Sequence, residues 1–321
     1  IAGDGVLEVF VGGQIIPAQY PAPADSALVK FENRNSKVLY KWDKLGMVQS
    51  AVFSDVYGNE KPELIITQHW GSLRVFTWAD NNWNPIEITD QLGLSKLTGW
   101  WNGVATGDFN NDGLIDIVAT NWGLNWKNKP TLNKPNRIYF GDLYGDGSTA
   151  AIEASLIKNE WKPDRRLNIL SAALPAIREN VLTFEELGRS NVRNAFGSNI
   201  ENLEFLDVVE FRAGVFINNF NAPMEFIPLP DKAQLTVSFG VVVEDFDGDS
   251  FQDVFISQNF FATNPEYSTL LINLIEKNDL NRFDDVNLQQ KSFYFAHSYG
   301  FPYATGLGAY YFDKIIMYST E

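Results

Sequence analysis

The chain has 321 residues, 45% of them hydrophobic, with 40 acidic against 25 basic side chains and no cysteine. That length builds one large domain or two ordinary ones without covalent staples, and the hydrophobic share is too high for a disordered chain. A formal charge of −15 disfavours polyanions, so no nucleic-acid partner is expected and divalent cations are the natural counter-ions. Without cysteine there are no disulfides, thiolate zinc sites or cysteine nucleophiles. No apolar run approaches the roughly 18 residues of a membrane span, no Asn opens a glycosylation sequon, and the first residues carry no cleavable signal pattern.

Taken in chain order, one pattern recurs: a glycine, an apolar run, an acidic loop and a second apolar run. Residues 3–13 (GDGVLEVFVGG) read as such a loop with its front missing, Asp4, Gly5 and Glu8 fitting its later positions. A weaker copy spans 47–71, and the clearest, NGVATGDFNNDGLIDIVATNWG, spans 102–123. A third, at 137–157, is weak. Residues 164–197 break the pattern: Leu167, Leu170, Leu174 and Ile177 recur at helical spacing, and Pro175 should kink or restart that helix. Thr183 and Glu186 form a capping box for a second helix, which Gly188 is placed to stop. The pattern resumes at 239–260 (FGVVVEDFDGDSFQDVFISQNF), and 308–318 read as a leading strand followed by an altered loop at Asp313.

Further β-like runs follow the loops: 73–78 and 84–89, 215–218 and 224–229, 269–274 and 282–288, separated by turn residues. About four short strands per unit of about 50 residues predicts an all-β chain: a single β-propeller over 1–321, of about six to seven four-stranded blades, with a helical insertion near 164–197. A pair of β-sandwiches is the alternative, but it needs no repeated acidic loop. The loop starts are unevenly spaced: Asp108 and Asp142 are close, Asp142 and Asp245 far apart. The first gap implies an abbreviated unit, or that Asp142 opens no full repeat; the second holds the helices. The chain reads equally as a propeller closed through its terminal strands or as part of a longer protein.

The strong loops place oxygens at positions 1, 3, 5 and 9: Asp108, Asn110, Asp112 and Asp116, then Asp245, Asp247, Asp249 and Asp253. Leu114 and Phe251 stand where a backbone carbonyl would serve as position 7. That is a Ca2+ donor set, and three or four close carboxylates call for a cation. An EF-hand would continue to Glu at position 12 and a helix; here strands follow. The alternative is an acidic turn held by Asx hydrogen bonds alone. Ser250 replaces the position-6 glycine in the second loop. In the weaker candidates, Asp55, Asn59 and Glu63, and Asp142 and Asp146, position 3 is Tyr57 or Tyr144. Glu60 stands at position 6 of the first; Ala150 stands at position 9 of the second, with Glu153 as a substitute acid. Ile315 and Met317 at the last copy's ligand positions predict no calcium there.

These loops resemble FG-GAP/VCBS repeats, the calcium-bearing propeller repeats also found in integrin α subunits. The segments 11–23, 98–125, 163–184 and 239–266 are similar to secreted VCBS-repeat proteins of the ASPIC/UnbV (CRTAC-like) group. The resemblance covers most of residues 2–266 and implies a seven-bladed, extracellular or cell-surface module for binding or assembly.

Propeller symmetry would gather the ends of equivalent strands at one mouth of the axial channel. These ends are Gln68, His69 and Trp70; Asn121 and Trp122; and Gln258, Asn259 and Phe260, at one offset from Glu63, Asp116 and Asp253. Amides with aromatics suit a protein or glycan ligand; the alternative is that Trp70, Trp122 and Phe260 wedge between blades as core. His69 and His297 are the only histidines, and no G-x-S-x-G, H-E-x-x-H or phosphate-loop motif occurs. The expectation is a calcium-stabilised extracellular binding or self-assembling module. The alternatives are a structural subunit of a surface fibre or sheath, and a carbohydrate-active enzyme using two acids.

Overall fold

A computed structural model describes residues 7–32, 35–79, 83–246, 248 and 250–258, with strand backbone at 292–295 and 313–318. Among the described residues it is mostly β, with five small antiparallel sheets, none closed on itself. The first is a meander of β1 (Leu7–Val11), β2 (Ser26–Glu32) and β3 (Asn35–Trp42). Along it the alternation expected of a strand separates a buried row, Ser26, Leu28 and Trp42, from an exposed one including Leu7, Val11, Phe31 and Val38. The second sheet runs in chain order: β4 (Met47–Ser54), β5 (Glu63–Gly71), β6 (Arg74–Ala79) and β7 (Asn84–Glu87). The short β8 (Gly99–Trp100) pairs with the end of β5.

The third sheet explains the uneven spacing. It begins with β9 (Val104–Gly107) and β10 (Asp116–Ala119), and then the chain leaves it. A separate sheet follows, of β11 (Asn136–Gly141), β12 (Ala150–Ile157), β13 (Glu160–Pro163) and, after the helices, β14 (Glu204–Val208), which pairs β11. Only then do β15 (Gly214–Ile217) and β16 (Glu225–Pro228) complete the third sheet, β15 pairing β10. The short and the long gap thus have one cause: the Asp142 unit is inserted inside the Asp108 unit. The helices expected near 164–197 lie between β13 and β14, as the cap of this inserted sheet.

Helix α1 (Leu167–Ala173) stops before Pro175, where a 3-10 turn restarts, as Pro at the first helical position permits. Helix α2 (Phe184–Arg189) carries the capping box of Thr183 and Glu186. Gly188 does not stop it: the helix runs on to Arg189, and its C-cap Ser190 is extended, so no left-handed residue is required there. Helix α3 (Val192–Phe196) ends at Gly197, φ +84°. Leu167, Leu170, Ile177, Leu187 and Phe196 close with Ile152 and Ala154 into a core belonging to the insertion alone.

The last sheet has the order β17 (Ser238–Glu244), β18 (Asp253–Gln258), β20 (Asp313–Tyr318) and β19 (Ser292–Phe295). Residues 313–318 are therefore a strand paired along β18, from Gln258↔Lys314 to Val254↔Tyr318. That corrects the reading of Asp313 as the start of a loop. The strands expected at 269–274 and 282–288, and Asp4 and Gly5, lie outside the described residues.

Sheets one, two, three and last stack face to face. Leu64 and Ile66 of β5 meet Leu28 and Trp42, while Ile65 between them turns to Ile117 and Phe216 of the third sheet. In β10, Ile117 and Ala119 face the second sheet and Val118 faces Val254 and Ile256 of the last. A strand buried on both faces has no polar row, which is why these segments read as continuous apolar runs. The leading strands lie side by side, β4 against β9 and β9 against β17.

Equivalent hydroxyls tie them. Thr67 donates to the carbonyl of Asn102, and Thr120, at the same position one unit on, donates to that of Phe239 at 3.0 Å. Thr120 also accepts from the Gly103 N–H at 2.7 Å. Replacing Thr120 with Val keeps the shape but strands a buried N–H and a carbonyl. Chemical denaturation of Thr120→Val is expected to show a loss of about 2 kcal/mol; an unchanged midpoint would show that the hydroxyl ties nothing.

Candidate functional site

Four acidic loops share one backbone shape. The position-1 carboxylate accepts the N–H groups of positions 5 and 6: Asp55 from Asn59 (3.0 Å) and Glu60 (2.7 Å), Asp108 from Asp112 (3.1 Å) and Gly113 (2.9 Å), Asp142 from Asp146 (3.1 Å) and Gly147 (2.9 Å). Asp245 likewise takes the Ser250 N–H at 3.0 Å. Position 6 is left-handed in every case, Gly113 at φ +85° and Gly147 at +81°, but also Glu60 at +62° and Ser250 at +76°. Non-glycine residues hold that conformation at a cost of about 1 kcal/mol, so the loop shape is retained where the glycine is lost.

Beneath the loop lies the position-9 acid. Glu63 and Asp116 are fully buried and Asp253 nearly so. The Asp116 oxygens accept from Phe109 N–H (2.9 Å) and from Asn218 N–H of the third sheet (2.7 Å); Asp253 accepts from Phe246 N–H (3.0 Å), and Glu63 from Tyr57 N–H (3.1 Å) and the Thr77 hydroxyl (3.1 Å). Burial pushes the Asp116 and Glu63 carboxyls up, and the Asp112 and Asp108 charges push Asp116 further.

Above it, half-buried Asp108 and exposed Asn110 and Asp112 form the rim, with the Asn110 amide 2.9 Å from Asp112 and the Asp112 carboxylate accepting the Leu114 N–H at 2.8 Å. Among the described residues no three acid or histidine side chains converge as a ready cage. The donors at this loop nevertheless fit a calcium ion chemically: carboxylates, an amide oxygen and the Leu114 carbonyl position are the hard oxygens it takes. Asp247 and Asp249 lie outside the described residues, as do Asn259 and Phe260. The Asp142 loop differs: Ala150 at its position 9 is buried in an apolar core, and Glu153 is held by Arg165 at 2.8 Å, so it does not stand in for the missing acid.

The proposed ligand face is placed differently from expectation. Asn121 is fully buried; its Oδ1 accepts from Trp100 N–H (3.1 Å) and Trp122 N–H (2.8 Å), and its Nδ2 donates to the carbonyls of Glu210 (3.1 Å) and Arg212 (3.2 Å). It clasps the point where the chain leaves for the insertion to the point where it returns. Gln258, also buried, donates to Ala233 and Thr236 carbonyls and to the Ser238 hydroxyl. Gln68 donates to the Ser72 carbonyl at 2.9 Å and packs so closely on Gly46 that a Cβ there would fall 1.7 Å from its Oε1. These amides are structural ties. Trp70 and Trp122 pack edge-on against Trp100, beside Ile138 and Phe211, as the core alternative had it.

His69 is half-buried, its Nε2 2.9 Å from Asn102 Oδ1. Asn102 donates its Nδ2–H to the Ser238 carbonyl at 2.8 Å, so its oxygen must face the ring. That assigns the Nε2–H tautomer and leaves the Nδ1 lone pair as an acceptor. Burial holds this histidine below its ordinary value. His69 also lines a cleft of about 840 Å³ between the end of β5 and the inserted sheet, whose walls include Pro21, Met47, Phe140 and Leu206. A smaller hollow of about 280 Å³ lies where β4, β9 and β17 begin, beside Ser50, Asn102 and Gly240.

Residues 55–119 match the FG-GAP-like repeat. The matched stretch runs from the first complete acidic loop through the second to the end of β10, so it covers the loop, middle strand and outer strands of one unit and the opening of the next. No curated protein matches the chain. Outside the FG-GAP-like signature, the far wall of the cleft, Phe140 with Glu204 and Leu206, went unnoticed in the sequence, as did the ties through Asn102, Thr120 and Asn218. Their partners are 17 to 162 residues away, beyond any local pattern.

Asn121→Ala is expected to lower stability by at least about 2 kcal/mol in denaturant melts, since it orphans buried backbone groups on both sides of the insertion. His69 gives a second test. Its folded value lies below the unfolded one near 6.5, so its contribution is complete above that pH and is lost as pH falls through the folded value. Melts between pH 7.5 and 5 should show a fall in stability that His69→Gln reduces; an identical slope in the variant would contradict the assignment.

Proposed function

We propose that this chain is a non-catalytic binding or assembly module built on a β-propeller of FG-GAP-like units, with calcium held in its acidic loops. The observation that carries it is the shared loop shape over a buried position-9 carboxylate. An acid deprived of water and set beside two more acids is stabilised by a cation in a way that hydrogen bonds alone do not match. At the strongest loop Asp108, Asn110, Asp112, the Leu114 carbonyl and Asp116 would hold the ion, and the Asp245 loop would form the second site. The positive charge would offset the clustered acids and lock the turn.

Face-to-face stacking of sheets with their leading strands side by side supports blades arranged about an axis, of which six to seven make the expected ring. Among the described residues no helix is long and apolar enough to cross a membrane. Loops of this kind, with a rim open to solvent, suit the roughly millimolar calcium outside cells, which supports a secreted or surface location as in the ASPIC/UnbV-like proteins. The binding role is favoured over histidine-based catalysis because, among the described residues, the His69 ring is engaged with the Asn102 amide.

Calcium bound only by the folded chain adds RT ln(1 + [L]/Kd) to its stability. Chelation is expected to lower the Tm, and calcium to restore it. Asp112→Ala should remove one ion by elemental analysis and shrink the calcium-dependent part of the Tm. A melt indifferent to chelator, with no metal retained, would refute the proposal.

A further inference from the structure

Resting on the binding reading above, we infer that the cleft between the end of β5 and the inserted sheet is the recognition site, and that it takes a short polypeptide segment bearing a lysine or arginine side chain. At about 840 Å³ it falls within the range of roughly 300–1,000 Å³ typical of ligand pockets, and it lies where they concentrate, between two separately packed bodies. The insertion has its own core, and the repeat sheets have theirs. The two meet at the tryptophan cluster around Trp100, and the cleft opens beside that contact.

The lining sets the chemistry. Met47, Phe140 and Leu206 give an apolar trough. Asp142 and Glu204, both exposed, stand on the inserted side, and Lys44, also exposed, stands on the side of the repeats. His69 belongs to the same lining. A basic side chain matches this set: its aliphatic stem lies on the trough and its charged head meets the two acids, while the overall charge of −15 favours its approach. A glycan fits less well. Sugar recognition uses an open aromatic face, and the Trp70 ring is 4% exposed, edge-packed on Trp100, with its indole N–H donated to the Tyr20 hydroxyl at 2.7 Å. The Asp142 loop is also the one without a position-9 acid, so its position-1 carboxylate is the least needed for a metal.

The test uses the calcium-loaded full chain, a positional-scanning tetrapeptide library read by fluorescence polarisation, and a glycan array. Lys or Arg should be preferred at one position at least, and the best peptide, labelled, becomes the probe. Glu204→Lys should weaken its binding about tenfold or more, whereas Lys44→Gln should tighten it several-fold. Misfolding cannot produce that opposite pair of signs. No basic preference, or affinities unmoved by both substitutions, overturns the cleft assignment while leaving the binding module standing. Binding of an array glycan that Glu204→Lys abolishes would overturn the peptide assignment in favour of a sugar. If neither library nor array yields a ligand, and the protein instead self-associates with calcium, the cleft and the binding reading both fall.

Discussion

A carboxylate removed from water must be met by donors or by a cation, and this chain sets one at the root of four of its sheets. Glu8, Glu63, Asp116 and Asp253 are all buried at or beside the first residue of β1, β5, β10 and β18. In the three with a described loop, an N–H from the start of that loop turns down onto the acid. The loop is thereby drawn over the strand end, its position-1 aspartate gathers the N–H group of position 6, and the two strands are held at the separation their pairing requires. Asn218 extends the arrangement sideways. Its N–H meets Asp116, and its side chain reaches the Val56 carbonyl in the neighbouring loop at 2.7 Å, so the acids are joined from sheet to sheet.

The same logic governs the opposite ends of the strands with neutral groups. There Thr67, Thr120 and Asn102 donate hydrogen bonds from one sheet to the next. Apolar packing between sheets fixes their distance without fixing their register; directional bonds at both ends do that. A stack tied only through its core could slide, whereas these ties allow one alignment of the leading strands.

How far the sequence showed this depended on the range of the interaction. The acidic loops, the middle strands ELIIT, DIVA and DVFI, and the capping box at Thr183 are local and were legible, because a turn, a run of apolar residues or a cap depends on neighbours within about ten residues. The ties made by Asn121, Gln68 and Gln258 were hidden for the opposite reason. An amide at a strand end looks the same in sequence whether water or a distant carbonyl satisfies it, and the carbonyls of Glu210 and Arg212 that hold Asn121 lie about 90 positions on. The split third sheet was hidden likewise: β10 and β15 pair across an inserted unit, and repeat spacing carries no sign of which strand a unit interrupts.

That inserted unit also shows why repeats diverge. In the other loops position 9 faces a place where a carboxylate finds N–H donors. In the inserted sheet the helices have taken that side: Ala150 is packed with Leu143, Leu167 and Phe196, an apolar surrounding in which an unpaired carboxylate would cost several kcal/mol. With the helical cap closed there, a carboxylate at position 9 would have no donor to meet it, and the residue at that place is Ala150. Asp142 survives at the top because it still gathers the N–H groups of Gly145, Asp146 and Gly147, an arrangement that needs no ion. The outcome is an acidic turn with no acid beneath it, held by its own N–H groups and set on the wall of the cleft beside Glu204.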